Sequence, residues 1–154
     1  MGEIALYRPE KTERAKIYLS QYRFARYEER RLLLRVCDLR ETQASARSPR
    51  MTGMPHGSGK TDLSDYVARL EERIQDLQSK GDECRRLYGE IDAVISRLDD
   101  PAERYVLRER YLQDRPASIT SISMRLAVSE RTCYRIYQAA LQHVEIPGEP
   151  AAAD

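Results

Sequence analysis

The segment Leu63–Leu98 constrains the fold most, because its apolar residues recur at alternating steps of four and three. This spacing places one apolar stripe along a single helix and is typical of a coiled-coil seam. Gly81 and Cys84 are its weak positions, since glycine lowers helix propensity by about 1 kcal/mol and Cys84 is small. The segment therefore predicts a long helix that packs against a partner helix. The seam comprises Leu63, Val67, Leu70, Ile74, Leu77, Gly81, Cys84, Tyr88, Ile91, Ile95 and Leu98.

A candidate partner lies in residues 11–41, which contain neither Pro nor Gly and also repeat apolar residues at helical spacing. Its other faces are basic, whereas the Leu63–Leu98 segment is acidic, so an antiparallel hairpin would pair opposite charges. Exposed ion pairs contribute only a few tenths of a kcal/mol each, so the apolar seam must supply the stability. A homodimer through Leu63–Leu98 is the alternative, and the sequence leaves the two arrangements open. The partner stripe comprises Ala15, Tyr18, Tyr22, Ala25, Leu32, Val36 and Leu39.

Residues 43–61 are rich in Pro, Gly and Ser and predict a connector long enough to reverse the chain. Its end, Gly59-Lys60-Thr61, is similar to the end of a phosphate-binding P-loop. That motif requires a glycine five residues before Gly59, where this chain has Met54, and it requires a preceding strand. The sequence therefore does not favour a nucleotide-hydrolysing site.

A new helix is predicted to begin at Asp100-Pro101, with Asp100 as the N-cap and Pro101 at the first helical position. It should run to about Leu112, pack through Tyr105, Val106 and Tyr111, and end before Pro116.

The stretch Ser118–Leu141 has the layout of a helix-turn-helix. Two short amphipathic helices flank the turn Ala127-Val128-Ser129, and Ser129 is suited to cap the second helix. Ala127 occupies a place where Gly is usual, because the turn requires a left-handed backbone. Many such helix pairs never contact nucleic acid. The predicted buried residues are Ile119, Ile122, Leu126, Cys133, Ile136, Tyr137 and Ala140.

The outward face of the second helix is polar and suits the edges and phosphates of a DNA major groove. Because the whole chain carries a formal charge of only +1, any affinity for DNA must come from local clustering of cations. Three alternatives remain: a solvated Arg131, a partly buried Tyr134, and an Arg135 paired with Glu130 or Glu109. The outward residues are Glu130, Arg131, Tyr134, Arg135 and Gln138.

The composition of this chain of 154 residues, with 33% charged residues and no Trp, predicts an all-α fold. No apolar run approaches the ~20 residues that span a bilayer, and the N-terminus lacks a signal-peptide pattern. The three cysteines are expected to be free thiols in a cytoplasm. His56 and His143 lack the companions that a metal site or catalytic dyad needs, so neither an enzyme nor a cofactor is expected.

Several residues then suggest a family. Leu98-Asp99-Asp100-Pro101, Glu103-Arg104, Arg110-Tyr111 and Ser129-Glu130-Arg131-Thr132 resemble the fourth region of sigma factors. The whole of residues 10–143, including the connector Ser48–Gly59, resembles the RinA/ArpU-like late transcription regulators of phages and prophages.

The resemblance implies a sequence-specific, double-stranded-DNA-binding regulator in the cytoplasm of a bacterial host cell, reading the major groove with a helix over 130–142. Glu130, Arg131, Tyr134 and Arg135 would face base edges, with Gln138 further along, and Ser129, Thr132 and Arg125 would fix the backbone register. The alternative is a coiled-coil interaction module that binds RNA polymerase or serves in phage packaging, like a small terminase subunit.

The expected organisation is a long helical hairpin or coiled coil followed by a three-helix helix-turn-helix domain. The segments are an N-terminal basic helix (1–42), the connector (43–61), the heptad helix (62–99), the sigma-like domain (100–144) and a flexible tail (145–154).

Overall fold

A computed structural model describes residues 8–46 and 59–150, and these residues form an all-α fold, as the composition predicts. The five helices of the described residues are α1 (Pro9–Ala46), α2 (Gly59–Ser96), α3 (Pro101–Tyr111), α4 (Ile119–Leu126) and α5 (Glu130–His143). Helices α1 and α2 extend beyond the predicted bounds into 43–46 and 59–61, because no Pro interrupts those positions. Residues 47–58 of the connector, which include His56 and most of the stretch that resembles the phage regulators, lie outside the described residues.

The chain divides into two compact units. The hairpin unit is Ala25–Cys84, and the terminal unit comprises the described residues within Met1–Phe24 and Arg85–Asp154.

In the hairpin unit, α1 and α2 run antiparallel. The Tyr66 hydroxyl donates to the carbonyl of Leu39 at 2.7 Å, while Lys80 pairs with Glu28 at 2.5 Å. Since residue numbers rise on one helix as they fall on the other, these contacts define a hairpin within the chain. In this pair the acid lies on α1 and the base on α2, which is the reverse of the predicted match between a basic first helix and an acidic second helix.

The seam in the hairpin unit differs from the prediction at its beginning, where Leu63 and Val67 are 48% and 42% exposed. The residues that the structure shows buried in this unit are Ala25, Val36, Gly81 and Cys84, and all four belong to the predicted stripes. Cys84 is a free thiol, and burial is the main cause that raises its pKa to about 11.

The terminal unit has one apolar core to which each of the five helices contributes. Its fully buried side chains include Leu19 of α1, Ile95 of α2, Leu107 of α3, Ile122 of α4 and Leu141 of α5. The predicted stripes omitted Leu19 and also Leu87 and Val94, which are buried, and they included Tyr88, which is 44% exposed. The buried face of a helix that packs on several partners is wider than a two-helix seam.

Helix α3 begins as predicted, because the Asp100 carboxylate accepts from the Ala102 N–H at 2.8 Å and Pro101 follows the cap. Arg108 then ties α3 to the end of α2 through Asp92 (2.9 Å) and the Ser96 hydroxyl (2.7 Å).

After α5 the chain continues against the core of the terminal unit. Val144 is 1% exposed, and Ile146 packs against the core. The physical reason is that these two apolar side chains reach the same core that buries the end of α5. Residues 151–154 lie outside the described residues.

Candidate nucleic-acid interface

The turn between α4 and α5 has the hydrogen bonds of a Schellman motif. The Val128 N–H donates to the Ser123 carbonyl at 3.1 Å, and the Ala127 N–H donates to the Met124 carbonyl at 3.3 Å. Ala127 adopts φ 54° and ψ 42°, the left-handed conformation that the sequence predicted there. It is the one non-glycine residue with positive φ in the described part of the chain.

Hydroxyl caps fix where each of the two helices begins. Ser118 accepts from the Ser121 N–H at 3.1 Å and starts α4. Ser129 accepts from the Thr132 N–H at 3.1 Å, so the predicted cap of α5 is confirmed. Ser129 also donates its own proton to the Thr132 hydroxyl at 2.9 Å, so the two side chains form one capping unit.

The inner face of α5 is buried as predicted. Cys133 and Ala140 are 0% exposed and Tyr137 is 6% exposed, while Ile136 packs against the core at its edge. Leu141, which the predicted set omitted, is also fully buried. Ser123 of α4 is also buried, and its hydroxyl donates to the Thr120 carbonyl at 2.7 Å. The rotational setting of α5 is therefore fixed by its packing.

The outer face of α5 remains open to solvent within the chain. Its first turns expose Glu130, Arg131, Thr132, Tyr134 and Arg135. Gln138 differs, because it is half-buried and its amide Nε2 donates to the Tyr134 hydroxyl at 2.9 Å. The structure thus brings five of the predicted residues onto one exposed surface and places Gln138 at its margin.

Arg125 is engaged by a neighbour. Its guanidinium pairs with Glu109 of α3 at 2.6 Å, and its pKa is raised by hydrogen bonding to Tyr105 and by the charge of Glu109. Glu109 was one of the two partners considered for Arg135, and it is occupied by Arg125 instead. Arg125 is exposed, but a ligand would have to replace its ion pair with Glu109.

A layer of tyrosines and arginines supports α5 from behind. The hydroxyls of Tyr111 and Tyr137 lie 2.7 Å apart in the interior. The Arg23 guanidinium lies 5.6 Å from the Tyr111 ring centroid and that of Arg110 lies 5.4 Å from the Tyr137 ring centroid. Burial and the bond to Tyr137 together raise the pKa of Tyr111 above its usual value.

The beginning of α1 lies against the end of α5. The Gln142 amide donates to the Thr12 hydroxyl at 2.5 Å and to the Arg8 carbonyl at 3.2 Å. Further along α1, Arg23 reaches α3, where it donates to the Arg110 carbonyl and stacks on Tyr111. Sequence reasoning assigned no such role to α1, because its periodicity carries no information about contacts with residues so distant in the chain.

His143 ends α5 beside a buried carboxylate. Its Nδ1 lies 2.9 Å from Glu103 Oε2, and Glu103 is 6% exposed. This contact joins the end of α5 to the first turn of α3.

Among residues 8–46 and 59–150, no cluster of three or more His, Cys, Asp or Glu side chains could hold a metal ion. No helix within these ranges is long and apolar enough to cross a membrane. Comparisons with models of known families, with curated proteins and with solved structures return no match for this chain.

Proposed function

We propose that this chain is a sequence-specific DNA-binding regulator of transcription that places α5 in the major groove. The observation that carries the proposal is the two-sided character of α5. One side is locked into the core by Cys133, Tyr137, Ala140 and Leu141, while the other side leaves the first turns free to meet a duplex.

The residues on the free side have the chemistry that base reading requires. Arg131 and Arg135 lie one helical turn apart and each presents a planar guanidinium, which recognises guanine by two hydrogen bonds. Glu130 lies beside them and is able to accept from cytosine N4. The N-terminal turns of a recognition helix are the part that reaches base edges, and these three residues occupy the first two turns of α5.

The remaining site residues suit contacts with the DNA backbone. Ser129 and Thr132 stand at the N-terminus of α5, where free N–H groups and the helix dipole favour an anionic phosphate. Arg125 would join them only by leaving Glu109. The regulation of phage or prophage genes is part of the proposal and is supported by the resemblance to the RinA/ArpU-like proteins.

The proposed assembly is a homodimer that binds two half-sites about one helical turn of DNA apart. A second copy of the chain could pack against the beginning of the seam Leu63–Leu98, since Leu63 and Val67 are exposed. The end is not available, because Ile91, Ile95 and Leu98 are buried in the terminal unit.

A second candidate function is a protein-interaction module, for example one that binds RNA polymerase or a packaging component. The observation in its favour is Met124 on α4, which is 75% exposed next to the candidate interface. Exposed methionines are common on surfaces that bind proteins.

One experiment separates the two functions. Wild type selects a preferred duplex from a random library, and its affinity for that duplex and for a scrambled duplex is measured over a range of salt concentrations. We expect the affinity to fall steeply as salt rises. The variant Arg131→Ala/Arg135→Ala should lose the preference, at about 1–3 kcal/mol for each base contact removed.

The matched control is Arg86→Ala/Arg97→Ala, which removes the same charge from exposed positions near the end of the described α2 and its following turn. It should retain the sequence preference. A wild-type protein that folds but binds no duplex at low salt would refute the DNA-binding proposal.

A further inference from the structure

Lys16 belongs to α1, the helix whose beginning contacts the end of α5. Thr12 contacts Gln142, and Lys16 is one helical turn further along α1 while Gln138 is one turn earlier on α5. Further along α1, Arg23 lies over the ring of Tyr111, whose hydroxyl is 2.7 Å from that of Tyr137 on α5, so α1 runs toward the earlier turns of α5. Because a turn advances by about 5.4 Å on both helices, Lys16 is level with Gln138, whose amide reaches the Tyr134 hydroxyl at 2.9 Å.

The electrostatics of Lys16 agree with this position. Its hydrogen bond to Glu13 is the largest cause that raises the pKa of Lys16, burial opposes it, and the phenols of Tyr137 and Tyr134 add smaller increases. The Lys16 ammonium is therefore within electrostatic reach of both tyrosines.

Two donors remain available at this place. Lys16 uses its ammonium on Glu13 at 3.0 Å, with about a third of its side chain exposed, and an ammonium has three protons to donate. The Tyr134 hydroxyl accepts from Gln138, so its own proton is free to donate outward. Tyr134 is 53% exposed, so an incoming acceptor is able to reach that proton.

We infer that Lys16 and Tyr134 together bind one phosphate of the DNA backbone beside the groove that α5 enters. The inference rests on the proposed function and deepens it, because it makes α1 a second DNA-contacting element. A phosphate oxygen accepts from an ammonium and a phenol at once. The exposed Lys16–Glu13 pair is weak, so phosphate is able to replace Glu13 as the partner of Lys16.

This assignment changes the role expected for Tyr134. The resemblance to the phage regulators implies that Tyr134 contacts a base edge. Its bond to Gln138 and its proximity to Lys16 instead direct the hydroxyl to the flank of α5, where phosphates lie when a helix occupies the groove. Tyr134 therefore contributes affinity without contributing sequence preference.

The test uses the full chain and the duplex that wild type selects from a random library. Lys16→Gln should reduce the slope of log affinity against log salt by about 0.9, the value for one phosphate contact. Tyr134→Phe should weaken binding about tenfold, as expected for one lost hydrogen bond to a charged group, with the slope and the sequence preference unchanged. Glu13→Gln should strengthen binding, because it removes the competing carboxylate.

The matched control is Lys11→Gln, which removes the same charge from α1 on the side that faces the segment after α5; its slope should equal that of wild type. A wild-type slope for Lys16→Gln, or a relaxed sequence preference for Tyr134→Phe, would overturn the phosphate site while the proposed function stands. If wild type binds neither the selected nor a random duplex, the proposed function itself fails.

Discussion

Ala127 holds a backbone conformation that an L-amino acid with a side chain adopts at a cost. Its φ of 54° and ψ of 42° lie in the left-handed region, where the Cβ atom crowds the following carbonyl and costs about 1–2 kcal/mol. The substitution Ala127→Gly removes this cost. Ala127 is exposed, so little apolar burial is lost with its methyl group.

The gain is partly offset in the unfolded chain, where glycine is more flexible by about 0.5–1 kcal/mol. We therefore expect Ala127→Gly to increase the free energy of unfolding by about 0.5–1 kcal/mol, the difference between the two effects. For a chain of this size the melting temperature should rise by about 2 °C.

The assay is thermal unfolding followed by far-ultraviolet circular dichroism, with urea unfolding as a second measure of the free energy. The matched control is Ala93→Gly, at an exposed position inside α2. There the backbone is right-handed, so glycine should destabilise the protein by about 1 kcal/mol. The same substitution thus has opposite signs at the two positions.

A decrease in stability for Ala127→Gly as large as that for Ala93→Gly would refute the reasoning. It would mean that the left-handed turn imposes no cost on Ala127, and that the Schellman hydrogen bonds do not hold the residue in that conformation.

Other substitutions test the caps, the buried tyrosines and the core. Ser129→Ala should lower the free energy of unfolding by about 1 kcal/mol, measured by urea unfolding. Ser129→Asp should retain the cap and most of the stability, and equal losses for the two variants would contradict the capping role of Ser129. Tyr111→Phe should cost about 1–3 kcal/mol, because it leaves the buried Tyr137 hydroxyl without its partner. Since burial raises the pKa of Tyr111, its stabilising contribution is present below the unfolded value of about 10 and is lost as pH rises above it. Because the chain has ten tyrosines, the Tyr111 signal is the difference in tyrosinate absorbance between wild type and Tyr111→Phe. This difference should appear together with unfolding, and its appearance in the folded protein would contradict the burial. Ile95→Ala should cost about 2–5 kcal/mol in thermal unfolding, whereas Tyr88→Ala should cost less; equal losses would contradict the observed register of α2.

The sequence alone determined the local features of the candidate site. Asp100 and Ser129 are caps because their short polar side chains reach N–H groups two or three residues ahead. The length of the Ala127-Val128-Ser129 connection likewise required a tight turn, and the left-handed backbone follows from it. Each of these features depends on neighbouring residues only, so the order of residues is sufficient to predict it.

The tertiary structure decided which faces of the long helices are covered. Heptad spacing predicts that Leu63 and Ile95 are both buried in the seam, yet Leu63 is exposed and Ile95 is fully buried in the core. The difference arises because Ile95 meets a core to which all five helices contribute, whereas Leu63 lies at the beginning of the hairpin seam.

The tertiary structure also decided which residues support α5. Thr12 meets Gln142 and Arg23 meets Tyr111 across most of the length of the chain, and no local pattern links these positions. Which residues join α5 is set by the packing of α1 against the terminal core, because a helical period states only which side chains share a face and never which helix covers it.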